Sequence, residues 1–159
     1  MSSMSTARKL PLTLTALRAI ALTALGVVGT AGAQTSADLA ATAGKEPGAT
    51  VTASGLVYRS LKDGTGASPS AADTVKVHYR GTFADGSEFD SSYKRNAPAT
   101  FPLSNVIACW TEGVQRMKVG GKARLTCPPA IAYGSRSVGP IPPNTTLQFE
   151  VELLDIVKR

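Results

Sequence analysis

Catalysis by attack or proton transfer needs acids, bases and nucleophiles in useful combinations, and this sequence holds few. Its one histidine, His78, sits in "TVKVHYRG" at 74–81. There it shares the polar face of an alternating stretch with Lys76 and Arg80, which suits a surface or hydrogen-bonded His better than a catalytic one. One His excludes a His-rich metal centre. The two cysteines, Cys109 and Cys127, form no C-x-x-C. "VGGK" at 119–122 runs on into Ala123, not Ser or Thr, so it fails as a phosphate loop and reads as a turn. "NTT" at 144–146 is a formal glycosylation sequon and weak on its own. No serine has a well-placed histidine. A nucleophilic hydrolase, a metalloenzyme and a nucleotide enzyme are therefore unsupported, and neither metal nor cofactor is expected.

What the sequence does hold is a gathering of apolar residues near turns: Tyr79, Phe89, Phe101, Val106, Ile107, Trp110, Tyr133, Ile141 and Phe149. They read either as ordinary core or as the lining of a concave apolar pocket with a few polar groups at its edge.

The elements that must position them follow from periodicity. "GLVYRSL" at 55–61 reads as a strand. At 74–81, Val75, Val77 and Tyr79 share one face, as in a half-buried antiparallel strand. Asp85-Gly86 signals a tight turn before a short aromatic-bearing stretch. "KARLTC" at 122–127 puts Ala123, Leu125 and Cys127 together, and "LQFEVELL" at 147–154 does the same for Leu147, Phe149, Val151 and Leu153. One segment has helical spacing, with Ile107, Trp110, Val114 and Met117 in a single stripe and Ser104 or Asn105 as its cap. The expected class is α+β: an antiparallel sheet with one face covered by one short helix. Pro142-Pro143, which can neither continue a helix nor join a ladder, would stiffen the loop before the last strand, stop it from joining the sheet, or both.

With 159 residues the chain is expected to form one domain. Its +6 charge invites a nucleic-acid reading that does not survive inspection. Arg8, Lys9 and Arg18 precede an apolar run, "AIALTALGVVG" at 19–29, and then Ala31-Gly32-Ala33. This is the pattern of a signal peptide cleaved near Ala33, and the run is about half the ~20 residues a membrane span needs. Without those three cations the basic residues fall from 17 to 14 against 11 acids, leaving +3 scattered over the chain. Nucleic-acid binding and stable membrane insertion are not expected. The expected domains are a signal peptide at 1–33, a flexible leader at 34–53 rich in Ala, Thr and Gly, and a folded domain at 54–159. The location would be periplasmic or secreted.

"VKVHYRGTFADGSEFDSSYKRN" at 75–96, "VIACWTEGVQRMKVGGKARL" at 106–125, "AYG" at 132–134 and "IPPNTTLQFEVELLDI" at 141–156 resemble an FKBP-type peptidyl-prolyl cis-trans isomerase. The resemblance covers residues 52–159, and the lead-in "TASGLVYRSLKDGTG" resembles the exported bacterial branch. It implies a twisted antiparallel sheet wrapped around a short helix, and an apolar pocket that accelerates X-Pro rotation in exported proteins by stabilising the twisted amide. Carried over by position, Trp110 would be the pocket floor, and Tyr79, Phe89, Val106, Ile107 and Phe149 its walls, with Phe101 in the substrate-binding set. Asp90 would lie at the rim, held by Arg95. Tyr133 would offer its hydroxyl, and the Ile107 N–H would donate, to substrate carbonyls. Ile141 would close the side of the pocket, under a flap stiffened by the prolines.

The implied partners are proline-containing unfolded or exported polypeptides, with macrolide inhibitors as further ligands. Two departures bear on both: Ala99 stands where the family often has an aromatic wall residue, and the loop "SRSVGP" at 135–140 is short, with Arg136 but no His. In the implied fold the helix packs on the sheet face that carries Cys127, so a Cys109–Cys127 disulfide is expected in an oxidising compartment. The alternative function is a periplasmic chaperone or peptide-binding module with incidental isomerase activity. Larger exported relatives have a long helical dimerisation domain before this one. Only about 20 residues occupy that place here, so a monomeric isomerase is expected.

Overall fold

A computed structural model describes residues 36–158. The expected signal peptide and its cleavage point lie outside those residues.

Among the described residues the α-helices and strands are α1 (Ser36–Gly44), β1 (Ala49–Val51), β2 (Val57–Lys62), β3 (Thr74–Thr82), β4 (Glu88–Ser91), β5 (Ala99–Pro102), α2 (Ala108–Gln115), β6 (Lys122–Cys127) and β7 (Leu147–Val157). The strands form one antiparallel sheet in the order β1-β2-β6-β7-β3-β4, with β5 also pairing β3. The class is the expected α+β, with two helices instead of one.

The core follows the alternation of the strands. Val75, Val77 and Tyr79 of β3, Ala123, Leu125 and Cys127 of β6, and Leu147, Phe149, Val151 and Leu153 of β7 are all buried. Their faces coincide because β7 pairs with β6 on one side and β3 on the other, in a register that sets Tyr79 opposite Val151 and Leu125 opposite Phe149. A slip of one residue would turn every one of these side chains to the opposite face.

Helix α2 covers that face with Cys109, Trp110 and Val114 buried, and Met117 just beyond its end. It lies so close that a Cβ at Gly113 would stand 2.7 Å from a Leu125 methyl carbon. The Cys109–Cys127 disulfide joins helix to sheet here, with Cα atoms 5.7 Å apart. The expected Ser104 or Asn105 cap is not used. Those residues belong to a 3-10 turn at Leu103–Asn105, and Ile107 is the N-cap, without a side-chain cap. The turn is held by buried Leu103, whose carbonyl accepts from the Thr111 hydroxyl at 2.7 Å.

The leader expected to be flexible over 34–53 contains α1 and β1. Leu39 and Ala43 are buried, β1 pairs β2, and Glu46 takes Arg59 at 2.5 Å and Arg124 at 3.5 Å. Alanine is the best helix former but carries almost no periodic signal, so a stripe of Leu39 and Ala43 does not stand out in the sequence. Packing on the sheet, together with the shared carboxylate, supplies what periodicity lacked.

Candidate functional site

An apolar cleft of about 310 Å3 opens where α2 meets the strongly paired strands β3 and β7. Trp110 is 4% exposed, and three rings meet its indole edge-on. Tyr79, Phe149 and Phe101 have centroids at 5.2, 5.4 and 5.6 Å from it, at angles of 81°, 88° and 89°. Edge-to-face contacts of this kind satisfy the ring quadrupoles and hold each ring in one orientation. The indole N–H is buried and finds no acceptor among the described residues.

Phe89 continues the wall, edge-on to Phe149 at 5.6 Å. Both depend on Gly81, which pairs with Asp90 on β4 and with Phe149 on β7. A Cβ at Gly81 would lie 2.5 Å from the Phe89 ring and 3.0 Å from that of Phe149. Glycine is required there because two aromatic rings occupy the space above its backbone. Val106, Ile107 and Tyr133 complete the apolar lining.

The polar rim is built around Asp90. It accepts from the Tyr79 hydroxyl, from Arg95 Nη1 at 2.6 Å and from the Ser91 backbone N–H at 2.9 Å. Arg95 also donates to the Tyr79 hydroxyl at 2.9 Å, and its guanidinium lies 5.7 Å from the centroid of that ring. Burial, the largest influence, pushes the Asp90 carboxyl up. The hydrogen bonds from Tyr79 and Arg95, the Arg95 charge and the Ser91 N–H together outweigh it, and the net shift is downward. Burial first, and then the bond to Asp90, raise the Tyr79 phenol above its ordinary value. Tyr79 therefore stays a neutral donor and Asp90 an anion across the neutral range.

A carboxylate with a depressed folded pKa contributes stability above its unfolded value and loses it as pH falls through the folded one. The stability gap between wild type and Asp90→Asn should therefore hold steady from pH 7 to 5 and narrow below the ordinary carboxylate value of 3.8. Thermal unfolding across pH 7 to 3 measures it. A gap that stays flat to pH 3 would show that the Asp90 charge contributes nothing to folding.

Of the residues singled out in the sequence, Tyr79, Phe89, Asp90, Phe101, Val106, Ile107, Trp110, Tyr133 and Phe149 line this one cleft. Two do not. Arg95 reaches it only through Asp90 and Tyr79. Ile141 is buried in the core beneath the flap, where it exchanges backbone hydrogen bonds of 3.0 and 2.9 Å with Val138. Its side chain packs in the core cluster. The flap is tied further by Asn144 N–H to Gly134 C=O at 2.8 Å and by the Thr145 hydroxyl to Pro142 C=O at 2.8 Å. Ala99 is outside the lining and packs against the core opposite Val77. Asn105 lines the cleft and was read in the sequence only as a cap. Its place directly before Val106-Ile107 was the signal available. His78 bonds Ser92 at 2.8 Å and stacks on Tyr93 at 4.7 Å, apart from the cleft.

A family model described as FKBP-type peptidyl-prolyl cis-trans isomerase matches residues 66–154. The FKBP-type peptidyl-prolyl cis-trans isomerase FkpA of Aeromonas hydrophila is 57% identical over 120 residues, which cover 76% of this chain and 44% of that protein. The outer membrane protein MIP of Legionella longbeachae is 48% identical over 114 residues, or 71% of this chain and 49% of that protein. A crystal structure of a peptidyl-prolyl cis-trans isomerase from Pseudomonas syringae is similar with a TM-score of 0.72 at 37% identity, covering 77% of this chain and 91% of the other. The chain spans about half the length of these curated relatives.

Proposed function

The chain belongs to the FKBP-type peptidyl-prolyl cis-trans isomerase family, and we propose that it accelerates rotation about X-Pro bonds in exported polypeptides, using the Trp110 cleft. The observation that carries this reading is the cleft itself: an apolar space open at the surface, ringed edge-on by aromatics, with one anchored carboxylate at its rim.

The reaction breaks no σ bond and transfers no proton. Its barrier of ~20 kcal/mol is the resonance lost when the amide twists. A planar amide is more polar than a twisted one, so moving it from water into an apolar site favours the twisted form. A cleft shaped to the rotated imide adds binding that only the transition state receives. In this reading the proline ring lies on Trp110 between Tyr79, Phe89 and Phe149. The Tyr133 hydroxyl and the Ile107 N–H hold the flanking carbonyls. Asp90, already bound by Tyr79, Arg95 and Ser91, sets the field at the rim and is not a general base. Arg95 is a positioning residue for Asp90 and Tyr79.

The exported setting rests on the N-terminal charge and hydropathy pattern and on the name of the Legionella relative, an outer membrane protein. Among the described residues no helix is long and apolar enough to cross a membrane.

A protease-coupled assay on a panel of Xaa-Pro tetrapeptides at 10 °C tests the activity. Spontaneous exchange takes minutes at that temperature, so catalysis is easily resolved, and exchange at the spontaneous rate with the pure, folded chain would refute the proposal.

A further inference from the structure

A second cavity, of about 250 Å3, shares no residue with the aromatic cleft. It lies where β2 ends and β6 begins, beside the C-terminal end of α2, and it is polar. Lys62, Arg116, Lys118 and Lys122 line it, against the single carboxylate of Asp63. Asp63 is engaged by the Ser60 hydroxyl at 2.7 Å. Arg116 and Lys122 have only distant ion pairs, with Glu112 and Glu150, each at 3.8 Å. Lys62 and Lys118 have no carboxylate partner among the described residues.

The ladder that forms one wall sharpens the point. Strands β2 and β6 place Arg59 opposite Arg124 and Lys62 opposite Lys122. Like charges directly across a ladder repel. At the first pair the fold sets Glu46 between the two cations, at 2.5 and 3.5 Å. At the second pair no carboxylate bridges the two lysines, and Arg116 and Lys118 line the same cavity. Four cations against one carboxylate leave the lining net positive, and a volume of about 250 Å3 has room for a small oxyanion.

We propose that this cavity is a binding site for a phosphate-type oxyanion, held by Lys62, Arg116, Lys118 and Lys122. Four cations in one concave polar site suit a ligand with several acceptor oxygens, because each donor finds its own oxygen and the charges sum. Free phosphate and a phosphomonoester headgroup share that chemistry.

Unfolding of the full chain by scanning calorimetry in rising inorganic phosphate, against sodium chloride at matched ionic strength, reads the site. Phosphate should raise Tm beyond the chloride control. It should also shift the amide resonances of Gly64, Lys118 and Gly121 in NMR spectra. The double variant Lys62→Gln/Lys118→Gln should fold as wild type by circular dichroism and bind phosphate at least about tenfold more weakly. Sedimentation with vesicles of phosphatidic acid in phosphatidylcholine separates the sources. Co-sedimentation lost in the double variant assigns the site to a lipid headgroup, and a phosphate response without sedimentation assigns it to the free anion. The proposal is overturned if the phosphate response survives the double substitution, or if phosphate acts no differently from chloride and vesicle binding is equal in both proteins.

Discussion

Trp110→Ala should lower kcat/KM for a proline tetrapeptide about 100-fold and cost about 3–5 kcal/mol of folding stability. Both effects come from the same packing. The indole is the shared partner of Tyr79, Phe101 and Phe149, so its removal leaves three rings without the surface that orients them. A 100-fold loss corresponds to about 2.7 kcal/mol of transition-state binding, within the ~1.5–3 kcal/mol that one large apolar contact supplies. The protease-coupled assay at 10 °C, run below the variant's own Tm, gives the kinetic half, and calorimetry gives the other. Phe89→Ala keeps the two apart. Phe89 is a half-buried wall residue, so its loss should cost about tenfold in rate with a much smaller change in Tm. A folded Trp110→Ala protein that isomerises at the wild-type rate would remove the indole from the mechanism.

Replacing both cysteines with alanine should cost about 3 kcal/mol, since the bridge closes a loop between residues 18 apart in sequence. For a domain of this size that lowers Tm by on the order of 10 °C. Cys109 and Cys127 are both fully buried, so native protein should resist reductant that opens the bridge readily once the chain is unfolded. The bridge ties α2 to β6 one residue before Trp110. The variant should therefore keep most of its activity at 10 °C and lose it at lower temperature than wild type on warming. Paired calorimetry and activity measurements over temperature check both points. An unchanged Tm in the double variant would show that the bridge contributes nothing to stability.

The fold was largely legible because burial repeats with the period of each element. Alternation picked out β3, β6 and β7 with their buried faces, and a spacing of three and four picked out α2. The long motifs carried the cleft residues by resemblance, and nine of them do meet in one place. Where the reading failed, the deciding contact was non-local. The leader's helix is weakly amphipathic, and the turn that follows it is held by Arg59 and Arg124 through Glu46, a pairing visible only once β2 and β6 lie side by side. Asn105 had the composition of a cap and became a cleft residue because Leu103 and Thr111 secure the turn in a different way.

From the amino-acid order alone came the strands, the helix and the wealth of aromatics near turns. These are local properties, written in spacing and residue type. Whether the aromatics would pack shut as core or stand open as a cleft was not written there. Three-dimensional packing settled that: Gly81 leaves space for Phe89 and Phe149, and the Trp110 plate is held edge-on by rings from three different strands. The same is true of the four cations beside Asp63, which are unremarkable along the chain. They become one charged site only because an antiparallel register sets Lys62 against Lys122 and the end of α2 brings Arg116 and Lys118 beside them.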